Sequence, residues 1–427
     1  MHRIRPFAVA GLLAILAIAA ATTSVRAAGP APKPRTAPAR PGIACPITGC
    51  VTNDWNLVPS PNSGSGGNEL YGVAVRTSTD AWAVGGQINV VGNASAYSTL
   101  IEHWDGQAWA IVPSPNIANI VQDYLRSVAI VSANDVWAVG PGYASTQQCP
   151  HRDVVEHWDG QTWSVVPAPA LNEDCSDELF GVAAVATNDV WAVGKGYDPV
   201  NKVDEVVMEH WDGQTWTIIP GPTSLNGIPA YLNGVTAVSS TDVWAVGLYT
   251  PCLPSCLGKS LVEHWDGMQW SAVDSPNPST RRNELSAVSA RAANDIWAVG
   301  YIFDNVTVDQ VPLIEHWDGT AWTAPLLQNF CGLTNCVLSG VAALASNNVW
   351  AVGSSVSTSR GNYTPLILHW DGANWRFSSA PLRSAESLFG VAGNATSAPV
   401  AVGKWFGNTT ILRYGPPQFP IKGPARR

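Results

Sequence analysis

The stretch Asn188-Asp189-Val190-Trp191-Ala192-Val193-Gly194, followed by Glu209-His210-Trp211-Asp212-Gly213-Gln214-Thr215-Trp216, is the unit from which this chain is built. WAVG recurs at Trp82, Trp137, Trp191, Trp244, Trp297 and Trp350, and a worn copy follows at Val400-Ala401-Val402-Gly403. HWDG recurs at His103, His157, His210, His264, His316 and His369, with Arg413-Tyr414-Gly415 as its worn last copy. The steps from Trp82 through Trp137, Trp191, Trp244 and Trp297 to Trp350 are 55, 54, 53, 53 and 53 residues. A period of that length marks a propeller, a solenoid or an array.

Each repeat reads as four short strands. In the third copy these are A (Leu179 to Ala186), B (Asp189 to Gly194), C (Val206 to Trp211) and D (Thr215 to Ile219). Asp212-Gly213 between C and D reads as a two-residue hairpin turn with positive φ angles. Strands B and D are apolar at nearly every position, as in a sheet covered on both faces. Four antiparallel strands per repeat, each repeat burying its faces against its neighbours, describe the blade of a β-propeller. The last repeat stops at Pro416-Pro417 without a strand D, while Asp54-Trp55-Asn56-Leu57-Val58-Pro59-Ser60-Pro61-Asn62 is an orphan D strand matching Ala108 to Asn116. The expectation is an all-β, seven-bladed propeller whose first strand, Trp55 to Pro59, completes the last blade by pairing with Thr410 to Tyr414.

The N-terminus reads as an export signal over residues 1–27. A basic start (His2, Arg3, Arg5) leads into an apolar run, Phe7 to Ala21, and then a small-residue cleavage site at Val25-Arg26-Ala27. Residues 28–53 read as a Pro/Ala-rich linker with a small cysteine loop, 54–415 as the propeller and 416–427 as a Pro-rich tail. The full chain carries 23 Lys+Arg against 32 Asp+Glu. Loss of Arg3, Arg5 and Arg26 leaves 20 against 32, a net charge of −12. An acidic surface repels phosphate backbones and argues against nucleic acid as a partner.

Eight cysteines fit an exported, oxidised chain. Their spacing suggests the pairs Cys45/Cys50, Cys252/Cys256 and Cys331/Cys336, with Cys149 and Cys175 as the remaining pair. Zinc fits poorly, because the pairs fall in different repeats without neighbouring histidines.

WAVG followed by a W-D-G-x-x-W hairpin resembles the secreted bacterial propellers of the kelch, Asp-box and photosystem-assembly-factor type, over residues 54–415. The hairpin Asp159-Gly160-Gln161-Thr162-Trp163 is similar to the end of an Asp-box, although its spacing differs by one residue and the leading Ser is missing. The same hairpin resembles the blades of seven-bladed bacterial sugar-binding lectins. These motifs define blades and not activities.

Of 20 tryptophans, only Trp405 falls outside three repeated positions, so the rest read as inter-blade packing residues. His151 is the single unique histidine of the mature chain, which excludes a propeller copper centre needing two unique imidazoles. The repeated histidines and the repeated Asp80, Asp135, Asp189, Asp242 and Asp295 read as hydrogen-bonded pairs on adjacent strands. Glu102, Glu156, Glu209, Glu263 and Glu315, each before its histidine, read as structural. A sialidase triad is not supplied, since Arg281 and Arg282, the companions of Arg126, belong to one blade.

The A–B and C–D connections are nearly constant, whereas the B–C and D–A connections vary and carry most unique charges. Function belongs on the variable side of a rigid scaffold. Just before strand A the chain reads Glu69, Tyr124, Glu178, Tyr231 and Glu284. This channel-mouth set would suit a cation such as calcium, a sugar or a basic peptide. The reading is a secreted, monomeric, non-catalytic binding or scaffold module for a glycan or protein, with no catalytic or metal residue assigned and no cofactor required. The competing reading is a glycan-active hydrolase or lyase with Glu178 and Glu284 as the acid/base pair, which needs carboxylates roughly 5–10 Å apart.

Overall fold

The structure is a computed structural model and describes residues 54–91, 94–115, 117, 120–144, 151–171, 177–222, 225, 227–251, 257–303, 309–325, 335–356, 363–381 and 386–415. All belong to the unit Ile47–Arg427. The expected export signal (1–27), linker (28–53) and tail (416–427) lie outside the described residues, as do Cys45, Cys50, Cys149, Cys175, Cys252, Cys256 and Cys331.

β1 (Trp55–Val58) precedes a meander of β2 (Gly67–Thr77), β3 (Asp80–Val91), β4 (Ala94–Trp104) and β5 (Trp109–Ile111). The short β6 (Ile120–Asp123) leads into β7 (Ser127–Ser132), β8 (Asp135–Ala144), β9 (His151–Trp158) and β10 (Trp163–Val165). The next meander is β11 (Glu178–Ala186), β12 (Asp189–Asp198), β13 (Val203–Trp211) and β14 (Trp216–Ile218). It is followed by β15 (Ala230–Ser239), β16 (Asp242–Tyr249), β17 (Lys259–Trp265) and β18 (Trp270–Ala272). Then come β19 (Asn283–Ala292), β20 (Asp295–Phe303), β21 (Gln310–Trp317) and β22 (Trp322–Thr323). The series continues with β23 (Asn335–Ala345), β24 (Asn348–Val356), β25 (Tyr363–Trp370) and β26 (Trp375–Phe377). It ends with β27 (Glu386–Asn394), β28 (Ser397–Trp405) and β29 (Asn408–Tyr414).

Each meander is an antiparallel four-stranded sheet, and one bridge, Tyr97 to Gln122, links the first two into a larger sheet. The innermost strands touch in the order β2, β7, β11, β15, β19, β23, β27, and β27 returns to β2. Sheets arranged radially around a closed set of inner strands are a β-propeller. β1 lies outermost on the sheet of β27, β28 and β29, with Trp55 opposite Tyr414 and Val58 opposite Ile411. The orphan D strand of the sequence is therefore the outer strand of the last sheet.

Small residues let the inner strands approach. A Cβ on Gly181 would sit 3.1 Å from the Cα of Gly234, and one on Gly234 would sit 3.2 Å from that of Ala287. The glycine of WAVG serves a separate purpose, because a side chain at Gly194 would collide with the carbonyl oxygen of Glu178 on the neighbouring strand.

Two strand expectations need correction. Strand D is not covered on both faces: in β14 Trp216 is buried and Thr217 exposed, and β5, β10 and β18 repeat this. The outermost strand has solvent on one side, so only its tryptophan reaches the core. The C–D hairpin is also longer than two residues, because Trp211 pairs with Trp216 and Asp212 N–H donates to the Thr215 carbonyl. Of the two turn residues only Gly213 has positive φ, at 96°. Asp212 Oδ1 accepts the N–H groups of Gln214 and Thr215, both at 2.8 Å. A carboxylate that fastens the turn makes a second positive-φ residue unnecessary.

Candidate functional site

The two ends of the propeller differ in chemistry. On the end formed by the A–B and C–D turns, the same constellation repeats. Nε2 of His103, His157, His210, His264 and His316 donates to Asp80, Asp135, Asp189, Asp242 and Asp295 at 2.8–2.9 Å. A carboxylate only accepts, which fixes the proton on Nε2. His369 meets Asn348 instead, at 3.0 Å. Each imidazole also lies 4.1–4.4 Å from the ring of its WAVG tryptophan. That indole reaches into the next blade and meets its D-strand tryptophan edge-on, as Trp82 does with Trp163 and Trp191 with Trp270. Repetition and packing together make these residues scaffold.

The glutamates preceding the histidines are fully buried. Burial pushes the carboxyls of Glu102, Glu156, Glu263 and Glu315 up to about 8, so they are protonated at neutral pH. Burial, reinforced by Asp153 and Asp177, pushes Glu209 up as well. Glu102 is met by Ser60 and Glu315 by Ser275, each from the segment after the preceding D strand. Ala168 and Gly221 stand at the matching positions facing the blades of Glu209 and Glu263. Both carboxyls there have no hydrogen-bond partner among the described residues.

The five expected binding residues sit at or just before the starts of the inner strands. Glu178 and Glu284 are buried. Glu69 receives Lys404 Nζ at 2.8 Å and the Tyr71 hydroxyl at 2.5 Å. Glu178 receives the Tyr143 hydroxyl at 3.1 Å and Lys195 Nζ at 3.4 Å. Glu284 receives Arg282 Nη2 at 2.7 Å and the Tyr301 hydroxyl at 2.6 Å. Tyr231 accepts from Arg282 at 2.7 Å, and Tyr124 packs its ring against Tyr71 and Tyr143. Each carboxylate thus has its own cation and its own tyrosine. Burial and the adjoining carboxylates push the hydroxyls of Tyr71, Tyr143, Tyr231 and Tyr301 well above the usual range, which keeps them protonated as donors. β15 stands between the strands of Glu178 and Glu284.

Of the five, only Glu284 lines the central channel, a cavity of about 410 Å³. The channel's own ring lies two residues further along each inner strand. Tyr71, Arg126, Phe180 and Phe389 form one arc, and Asn233, Ser286 and Ser339 the other. Sequence reasoning misses this ring. Its signal is a break in pairing: the register shifts between Leu70 and Gly72, Leu179 and Gly181, Leu232 and Gly234, and Leu388 and Gly390. The residue between is a bulge residue, and bulges re-aim a side chain. Arg126 lies 4.5 Å from the Phe180 ring centre, and Tyr71 packs against Phe389.

Cys336 is buried and disulfide-bonded. Among the described residues no three His, Cys, Asp or Glu side chains cluster as metal ligands, and no helix is long and apolar enough to cross a membrane.

No protein-family model matches this chain, and no curated protein sequence matches it. Solved structures do. YCF48 from Cyanidioschyzon merolae superposes with a TM-score of 0.51 at 14% identity, over 86% of this chain and 100% of that one. A GH74 xyloglucanase from Xanthomonas campestris gives 0.53 at 12% identity, over 84% of this chain and 53% of the xyloglucanase, about half its length. YCF48 bound to D1 peptide matches at a TM-score of 0.37 and 13% identity, over 69% of this chain and 93% of that one. At these identities the shared feature is the β-propeller.

Proposed function

We propose that this chain is an exported, seven-bladed propeller that serves as a binding module, taking a glycan or protein ligand at the channel mouth. The blade count rests on the closed order of inner strands and on β1 supplying the outer strand of the last blade. Export rests on the N-terminal pattern and on the disulfide at Cys336. The pairs 45–50, 252–256, 331–336 and 149–175 belong to this proposal.

One observation carries the binding reading. Glu69, Glu178 and Glu284 are each held by a separate cation and a separate tyrosine hydroxyl. A glycosidase needs one carboxyl kept protonated and a second within reach of the same bond. Here the carboxylates are tied into the walls, and the channel offers aromatic faces, hydroxyls, an amide and the guanidinium of Arg126. Those are recognition groups.

The test is an array of glycans and peptides probed with the exported chain, with product analysis by mass spectrometry on every bound compound. Binding without cleavage is expected. Cleavage that Glu284→Gln abolishes would make the protein an enzyme.

A further inference from the structure

The three mouth carboxylates each hold a cation, and the arginine that lines the channel itself is not among those cations. Lys404 holds Glu69, Lys195 holds Glu178, and Arg282 holds Glu284. Arg126 makes no ion pair and no side-chain hydrogen bond among the described residues; its guanidinium lies over Phe180. It is exposed and lines the 410 Å³ channel. The ionisable carboxyl of that lining, Glu284, is already occupied by Arg282, Tyr301 and Asn233. In a chain with nine more negative than positive charges, one unengaged guanidinium in the channel is the exception that needs a partner. A guanidinium stacked on an aromatic ring is pre-organised to take a carboxylate through two parallel N–H bonds.

The rest of the lining narrows what carries that carboxylate. Tyr71 and Phe389 pack together beside Arg126 and offer flat apolar faces. Across the channel stand Asn233 and Ser286, short polar groups suited to hydroxyls. The inner strands bond on one side only, to the second strand of each blade. The choice of ligand therefore falls to the side chains, and flat rings beside a guanidinium and short polar groups suit a sugar ring that carries a carboxylate. We propose that the channel binds an acidic oligosaccharide. A uronate carboxylate lies on Arg126, its ring on Tyr71 or Phe389, and its hydroxyls toward Asn233 and Ser286. This rests on the binding-module reading and gives that site a ligand class. An anionic ligand is compatible with a net acidic chain, because the local charge of the channel differs from the net charge.

The experiment is calorimetric titration of the exported chain with trigalacturonate, with a neutral oligosaccharide of equal length, and with a short peptide ending in a free carboxylate. Trigalacturonate should bind, the neutral sugar at least tenfold more weakly, and Arg126→Gln should weaken uronate binding by about tenfold to a hundredfold, the range of one charge-assisted contact. Arg126→Lys should recover only part of it, and melting temperatures should stay together because Arg126 is exposed. Equal binding of neutral and acidic sugars, or uronate binding indifferent to Arg126→Gln, overturns the proposal but leaves a glycan-binding module. Preference for the peptide overturns it in favour of a protein ligand. Binding of none of the three overturns it too, while the wider array still tests the binding-module reading.

Discussion

The junctions between blades are alike except one, and the exception shows what the repeated motif is for. At the junctions centred on Trp82, Trp137, Trp191, Trp244, Trp297 and Trp350, an indole from strand B fills the gap to the next blade and meets an aromatic ring edge-on at 5.1–5.7 Å. Where the last blade meets the first, Val400 stands in the tryptophan's place and Arg413 in the histidine's. Val400 packs against Trp104 and Trp109 of the first blade, and a cavity of about 10 Å³ remains. Arg413 covers Trp104 at 5.4 Å and donates to the Ser78 carbonyl. An arginine lid on a smaller plug thus replaces a buried indole braced by histidine. The junction before it, at Trp350, keeps its tryptophan because β1 brings Trp55 from the other end of the chain, with Tyr414 as the third ring. The ring closes by supplying a missing aromatic at one junction and by doing without at the next.

The largest effect should come from removing that supply. Deleting residues 54–62 strips Trp55 from Trp350 and leaves β29 as an open edge, which invites association. A drop in melting temperature with oligomers in sedimentation is expected. An unchanged melting curve would sink the closure account.

Next in size is the contrast between plugs. Trp191→Ala should cost about 3–5 kcal/mol, the usual range for a buried indole. Val400→Ala removes two methyl groups at roughly 0.8 kcal/mol each plus a small cavity term. Equal losses in denaturant titration would show that the two junctions are not built differently. Val400→Trp alone should destabilise, since about 10 Å³ cannot hold an indole. Adding Arg413→His should recover part of the loss by restoring the imidazole brace.

The buried glutamates sharpen the comparison through pH. Glu263 has an ordinary pKa of 4.5 and is raised to about 8 by burial. Between these values the unfolded chain releases its proton while the folded chain keeps it, so stability falls as pH rises through that window. Glu263→Gln removes the fall. It should be nearly neutral at pH 4 and stabilising at pH 8, with Glu315→Gln gaining less because Ser275 already meets that carboxyl. Leucine stands in this position at Leu368 and Leu412, which shows that the fold does not require the acid. Identical pH profiles for Glu263→Gln and the parent chain would refute the assignment.

The smallest change should be Asp189→Asn. Asn348 already bonds both His369 and Trp350 in the sixth repeat. A shift within about 0.5 kcal/mol is expected, and a larger one would mean that the histidines depend on the carboxylate's charge.

What the sequence makes legible follows the same division. Residues that repeat, such as Trp191, His210 and Asp189, announce a common packing role, and the structure shows them filling it. The channel ring escapes because its members differ from blade to blade: Tyr71, Arg126, Phe180 and Asn233 share a place and no chemistry. Tyr71, Phe180 and Asn233 also sit at bulges, and Arg126 just before β7, where alternation along the strand no longer tells which side a residue faces. The repeat spacing puts Glu178 and Glu284 at the right end of their strands but gives no sign that they are buried. Their partners Lys195 and Tyr301 lie on the next strand, 17 residues away in each case, and a cross-strand register is invisible until the strands are paired.

The central claim is that β1 belongs to the last blade. Hydrogen exchange on the intact chain tests it most directly. The amides of Trp55–Val58 that face β29 should be protected to the same degree as those of Ile411 and Leu412, and should lose protection with them in denaturant. Exchange of the 55–58 segment at an unfolded rate, while 411–412 stays protected, would contradict the account.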